Sequence, residues 1–212
     1  MCVRHGVDII GFVADYPRPV PWDLYTSNGC AASNKRGIQA VIELMQAVSR
    51  PVQTCIVTGG SVEKILKLAL EAKPNYIQLH CNETLEDTAY ISETLAKHGI
   101  KIIKTLFPDT PELEKTATKF SAAGVHALLL DPRTPDNAVD GGSVNLSMYR
   151  KIQQAVSCPV ILAGGITPEN VKEIVLQSEA SMIDLMTGVE SSPGIKDEAK
   201  VIKLFQAMKA LA

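Results

Sequence analysis

The sequence predicts a parallel α/β barrel of the (β/α)8 type, one strand short at its front and organised as a single domain over residues 1–212. Three observations carry that reading. Short apolar runs, many of them β-branched, recur along the whole chain and are apolar on both faces, as parallel strands covered on both sides require. The stretches between them carry the spacing of amphipathic helices. The chain also opens on what reads as the tail of a helix, and in such an alternation a helix needs a strand before it.

Taken in order, residues 1–6 (MCVRHG) are the last turn of a helix, closed by Gly6 as C-cap. Strands are expected at 8–13 (DIIGFV), 52–57 (VQTCIV), 76–79 (YIQL), 101–104 (KIIK), 127–130 (ALLL), 160–163 (VILA) and 182–185 (MIDL). Between them Val62, Ile65, Leu66, Ala69 and Leu70 share one helical face, and Val171, Ile174 and Val175 share another. Ser61 is the expected cap of the first of these helices. Thr167, ahead of Pro168, is the expected cap of the second, with proline at the first helical position. The small, polar segment 27–34 (SNGCAASN) reads as an enlarged loop after the first visible strand. Seven visible strands and one expected ahead of residue 1 make eight, which favours a barrel over an open doubly wound sheet.

Composition bounds the function. The chain has 212 residues, of which 46% are hydrophobic and 21% charged, ordinary values for a globular protein. A formal net charge of −2 leaves no basic excess for neutralising phosphate backbones, so nucleic acid is not an expected partner. No apolar run approaches the roughly 18 residues of a membrane span, and no signal peptide is evident. The 5 cysteines are odd in number and form no CxxC pair. Free thiols in a reducing cytoplasm are expected, rather than a disulfide framework or a zinc site.

In a barrel of this kind the chemistry sits on loops at the C-terminal ends of the strands. Two such loops are glycine-rich: Gly164-Gly165 after the strand at 160–163, and Thr187-Gly188 after the last strand. Glycine lets backbone N–H groups approach a ligand, and loops after the last two strands commonly hold phosphate in this architecture. Two tight turns without a ligand are the plain alternative. Asp131 directly follows 127–130 and puts a carboxylate at the same mouth, as a catalytic group or as an ordinary turn residue. Asp184 sits in an otherwise apolar strand and must face a partner or the mouth. Lys104 ends a strand and reads as a stem-buried surface lysine as easily as a ligand contact. His80 is the histidine best placed for the mouth, whereas His5, His98 and His126 look peripheral. No two histidines share metal-ligand spacing, so no metal is expected.

These residues resemble the phosphoribosylanthranilate isomerase family of tryptophan biosynthesis over nearly the whole chain. The markers are GVD at 6–8 leading to GFV at 11–13, QLH at 78–80, LLD at 129–131, GGS at 141–143, AGGITPENV at 163–171, Asp184, and TGVESSPGIKD at 187–197. The resemblance implies a (β/α)8 TIM barrel that performs an Amadori rearrangement of N-(5-phosphoribosyl)anthranilate without a cofactor. It implies that a carboxylic acid opens the furanose ring by protonating its oxygen and that a thiolate removes the C2 proton. Asp131 matches the acid, and the loop running to Gly142 matches the segment that closes over the substrate. Gly164, Gly165, Thr187 and Gly188 match the phosphate cradle, Asp184 the carboxylate of the last strand, and His80 a substrate contact. Arg18 is the nearest match, displaced, to the arginine that holds the anthranilate carboxylate.

The chain departs from the family pattern at its front. Cys2 lies only nine positions before Gly11, so it falls in the first helix and is not the family's base. GGS is followed by VNLSM rather than the usual aromatic segment. Cys81, where glycine is usual, is a candidate surrogate base. The expected partner is therefore a phosphorylated small molecule, with no membrane, and the chain is expected to be a monomer or a homodimer. The alternative is a barrel of the same descent that binds a phosphate ligand without turnover. Other phosphate-binding barrel enzymes fit less well, because their metal-binding His/Asp sets or lysine–glutamate constellations are absent or reduced to Lys104.

Overall fold

The computed structural model describes residues 1–14, 37–132, 145–192 and 194–211. The expected loop 27–34, Arg18, Gly141 and Gly142 lie outside the described residues.

Seven strands form one all-parallel sheet whose spatial order is their chain order. They are β1 (Ile9–Val13), β2 (Gln53–Thr58), β3 (Tyr76–Leu79), β4 (Lys101–Leu106), β5 (Ala127–Leu130), β6 (Val160–Ala163) and β7 (Ile183–Asp184). The helices between them are α1 (Cys2–His5), α2 (Gly37–Gln46), α3 (Val62–Ala72), α4 (Leu85–Ala96), α5 (Leu113–Ala122), α6 (Leu146–Ala155), α7 (Val171–Ser178) and α8 (Glu198–Lys209). The sheet curls as half of a barrel wall, with the helices outside it. All seven expected strands are present, with bounds shifted by at most two residues.

Alternation along each strand divides the apolar residues into two layers. Cys55, Tyr76, Ile103, Ala127, Leu129, Ile161 and Ala163 point to the inside of the curl. Their neighbours Ile56, Ile77, Leu79, Ile102, Leu128, Leu130 and Leu162 point outward and pack against the helices, with Ile65, Ile91, Leu95, Tyr149 and Ile152. The central strands β3, β5 and β6 are therefore buried throughout, which is why they read as unbroken apolar runs rather than as alternating ones.

The edges differ. Among the described residues β1 pairs with β2 alone and β7 with β6 alone, so the wall is open between them. Helices α1 and α8 meet across this opening. Gly6 ends α1 in the left-handed conformation (φ 94°), and α1 packs beside α8, where Arg4 and His5 both reach Glu198, at 3.0 and 2.9 Å.

Three local expectations are corrected. In α3 the buried face is Ile65, Leu68, Ala69 and Ala72, while Leu70 is exposed. The inward stripe is thus rotated toward the i, i+3, i+4, i+7 set that meets the sheet. Ser61 does cap this helix, accepting from the Lys64 amide. Thr167 caps the turn ahead of α7 rather than α7 itself: its hydroxyl accepts from the Glu169 amide (3.3 Å), residues 168–170 form a turn, and the helix begins four residues on, at Val171. The segment after β7 is more than a glycine loop. It is a 3-10 turn, Thr187–Val189, followed by an antiparallel pair, β8 (Glu190–Ser192) and β9 (Ile195–Lys196).

Candidate active site

Parallel strands deliver their C-terminal ends to one rim, and the residues just past those ends are His80, Asp131 and Gly164, with Asp184 closing β7. Asp131 leaves β5 with its amide donating to the Leu106 carbonyl of β4 (3.0 Å) and with no exposed surface. Its Oδ2 lies 3.1 Å from Nε2 of His80, whose own amide donates to the Thr58 carbonyl of β2. Phe107, the first residue past β4, meets the His80 ring edge-on, with centroids 5.4 Å apart and planes at 86°. The residues named at 80 and 131 are therefore one hydrogen-bonded pair, set between an aromatic edge and two strand ends.

The glycine turns adjoin this pair. Gly164 holds φ 94° and Gly165 φ 63°, left-handed values that glycine adopts without a Cβ penalty. A Cβ on Gly164 would overlap Pro132, the residue after Asp131, so the turn after β6 packs directly on the chain that carries the carboxylate. A Cβ on Gly188 would overlap the Ile166 carbonyl, which locks the 3-10 turn at Thr187 onto the turn after β6. Asp131, Gly164, Gly165, Thr187 and Gly188 thus lie along one stretch of rim.

Side chains that sequence reading did not single out brace these turns. Asn170 accepts from the Thr167 amide (2.7 Å) and donates to the Gly165 carbonyl (2.8 Å). Lys196 donates to the Met186 carbonyl (2.7 Å) and pairs with buried Glu190 (2.8 Å), and Lys200 donates to the Glu190 carbonyl (2.6 Å). The only signal for them in the sequence is a polar residue a few positions from a glycine, which fits many turns as well as it fits this one.

Asp184 ends β7 opposite Ala163 and is exposed. Burial, and then the Asp184 carboxylate, push the Cys55 thiol far above its ordinary range, so Cys55 is a neutral core residue. Cys2 sits in α1 on the outer layer, away from the rim. Cys81 lies against Gly59 of the turn after β2. Lys104 is no surface residue: it shares the outward parity of Ile102 and Leu106, is 2% exposed, and pairs with Glu83 at 2.7 Å.

A family model described as N-(5'phosphoribosyl)anthranilate (PRA) isomerase matches residues 25–207. The curated isomerase of that name from Haloferax volcanii is 30% identical, with 96% of this chain and 84% of that protein covered. The solved structure of the Thermus thermophilus phosphoribosyl anthranilate isomerase superposes over 100% of this chain and 92% of its own, with a TM-score of 0.75 at 25% identity. The Thermotoga maritima protein superposes with a TM-score of 0.77 at 24% identity, over 99% of this chain and 91% of that one. A fold, a rim and a family model that agree over this length place the chain in the N-(5'-phosphoribosyl)anthranilate isomerase family.

Proposed function

We propose that the chain rearranges N-(5'-phosphoribosyl)anthranilate, an aldose amine, to its ketose isomer at the rim described above. Asp131 serves as the general acid that protonates the furanose ring oxygen. The observation that carries the reading is the packing of Gly164 on Pro132, which sets the glycine turns beside that acid. The backbone amides of Gly164, Gly165, Thr187 and Gly188 suit the anionic end of a sugar phosphate. His80 and Asp184 border the sugar, while Arg18 and Gly142 are proposed on the anthranilate side from the sequence alone. We place the reaction in the cytoplasm, in a single-domain chain that is a monomer or a homodimer. An odd number of cysteines with no CxxC pair supports a reducing compartment.

A second reading, binding without turnover, is favoured by where the thiols lie. Cys2 is on the outer layer and Cys55 is held neutral, so neither supplies a thiolate to the rim. Turnover and binding separate the two readings. Asp131→Asn is expected to lower kcat about 10²–10⁴-fold, the usual worth of a general acid, while calorimetric affinity for ribose 5-phosphate changes less than about threefold. A parent that binds ribose 5-phosphate but turns nothing over establishes the second reading. A parent that does neither excludes both.

A further inference from the structure

Lys104 and Glu83 form an ion pair in the outer layer under the rim, at 3% and 2% side-chain exposure. A pair this buried is a poor stabiliser, because removing two charges from water costs about as much as their attraction returns, and apolar residues of similar volume do as well. What the pair supplies that apolar residues would lack is aim. Lys104 Nζ donates to the Cys81 carbonyl (2.6 Å) and to Glu83 Oε2 (2.7 Å), and the same Oε2 accepts from the Cys81 amide (3.2 Å). Both backbone polar groups of one residue are therefore held by one buried pair. That residue follows His80, the partner of Asp131. Gly59 leaves the room: a Cβ there would stand 2.8 Å from Glu83 Oε1 and would overlap the Cys81 thiol.

We propose that the Lys104–Glu83 pair is a positioning device, clamping the turn at Cys81 so that His80 is held against Asp131. Neither residue touches the sugar in this scheme. They act through His80, and the inference rests on the reading of Asp131 as the acid. The clamp, His80, Phe107 and Asp131 come from the ends of three adjacent strands, β3, β4 and β5, so an error at the Cys81 turn is passed directly to the His80 ring.

The test uses the full chain and two variants. Lys104→Met/Glu83→Leu removes both charges at similar volume, and Glu83→Asp keeps the charge pair but withdraws the carboxylate by one carbon from the Cys81 amide. The first readout is solvent exchange of the His80 ring proton, followed by NMR without substrate and assigned by its loss in His80→Ala. Exchange is expected to rise about tenfold or more in the double variant and about threefold in Glu83→Asp, since each frees the ring from Asp131. The second readout is kinetic. Displacing an aligned group by a fraction of an ångström costs roughly 10- to 100-fold in rate, so kcat is expected to fall by that factor with KM within about threefold. In a His80→Ala background the same double change is expected to alter kcat by less than about twofold, which a merely structural role would not produce. Unchanged ring exchange in folded Glu83→Asp overturns the proposal, as does an undiminished effect in the His80→Ala background. Should the double variant not fold, Glu83→Asp decides alone. An inactive parent defeats the reading of Asp131 but leaves the ring-exchange result to decide whether the clamp exists.

Discussion

Asp131 is a carboxylate with no exposed surface, and burying such a group is costly unless its oxygens are engaged. The His80 contact meets part of that requirement, and it needs the turn after β6 to leave Pro132 in place. Gly164 is therefore the residue whose replacement reports on the site most directly. With φ 94° and a Cβ that would strike Pro132, Gly164→Ala is expected to cost about 1–3 kcal/mol and to lower turnover as the Asp131 backbone shifts. Gly99→Ala is the control, because Gly99 has φ 72° with open space around it and so carries the backbone penalty alone. Urea unfolding and steady-state rates of the two variants make the comparison. If Gly99→Ala loses as much activity as Gly164→Ala, the contact with Pro132 is irrelevant to the site. The positions of Asp131, His80 and the glycines past strand ends were legible in the sequence because each follows an apolar run. It did not find their pairing, since a contact between residues 51 apart depends on which strands are adjacent and how they are staggered.

At the scale of elements, the strand ends are precise because the helices that follow them start at fixed places. Helix α4 begins just past Glu83, where Thr84 accepts from the Asp87 amide (3.1 Å) and donates to the Asp87 carboxylate (2.7 Å). Thr84→Ala is expected to cost about 1 kcal/mol, measured as a lower urea midpoint at unchanged slope. A change of slope would instead mean that the cap alters the unfolded state. The capping serine and the strands were legible because Ser61 and the β-branched runs obey local rules. Thr167 was not, because three candidate polar residues crowd the start of α7 and tertiary packing chose the arrangement. There the side chain of Asn170 ties Thr167 to Gly165 instead of capping the helix. Leu70 was misplaced for a related reason: the stripe over 62–70 is wide enough to admit two rotations, and only the sheet decides between them.

Across the whole molecule, the two rims divide the labour. His126 precedes β5 at the rim opposite Asp131, 5.6 Å from the Tyr76 ring, and the nearby Lys101 ammonium lies over the same ring. Partial burial, and then Lys101, hold His126 below its ordinary value of 6.5. The unfolded chain accordingly takes up this proton first. The contribution to stability is present above about pH 6.5 and is lost as the pH falls through 6.5 toward the lower folded value. His126→Gln is expected to flatten the fall in Tm between pH 7 and pH 5, with turnover at pH 7.5 unchanged. A parallel fall in both proteins would assign the acid sensitivity to other groups. The parallel order of seven strands was readable from strand spacing, whereas the hairpin of β8 and β9 was hidden because its strands are too short to show periodicity.

Between α1 and α8 the outer layer is continuous where, among the described residues, the wall beneath it has no paired strand. Among the described residues the ladders run beneath the other helices, whereas α1 and α8 meet through side chains, the grip of Arg4 and His5 on Glu198 among them. Such a joint is expected to open before the ladders do, so amide protons of α1 and α8 are expected to exchange with solvent faster than those of β3 to β6; equal exchange would contradict this.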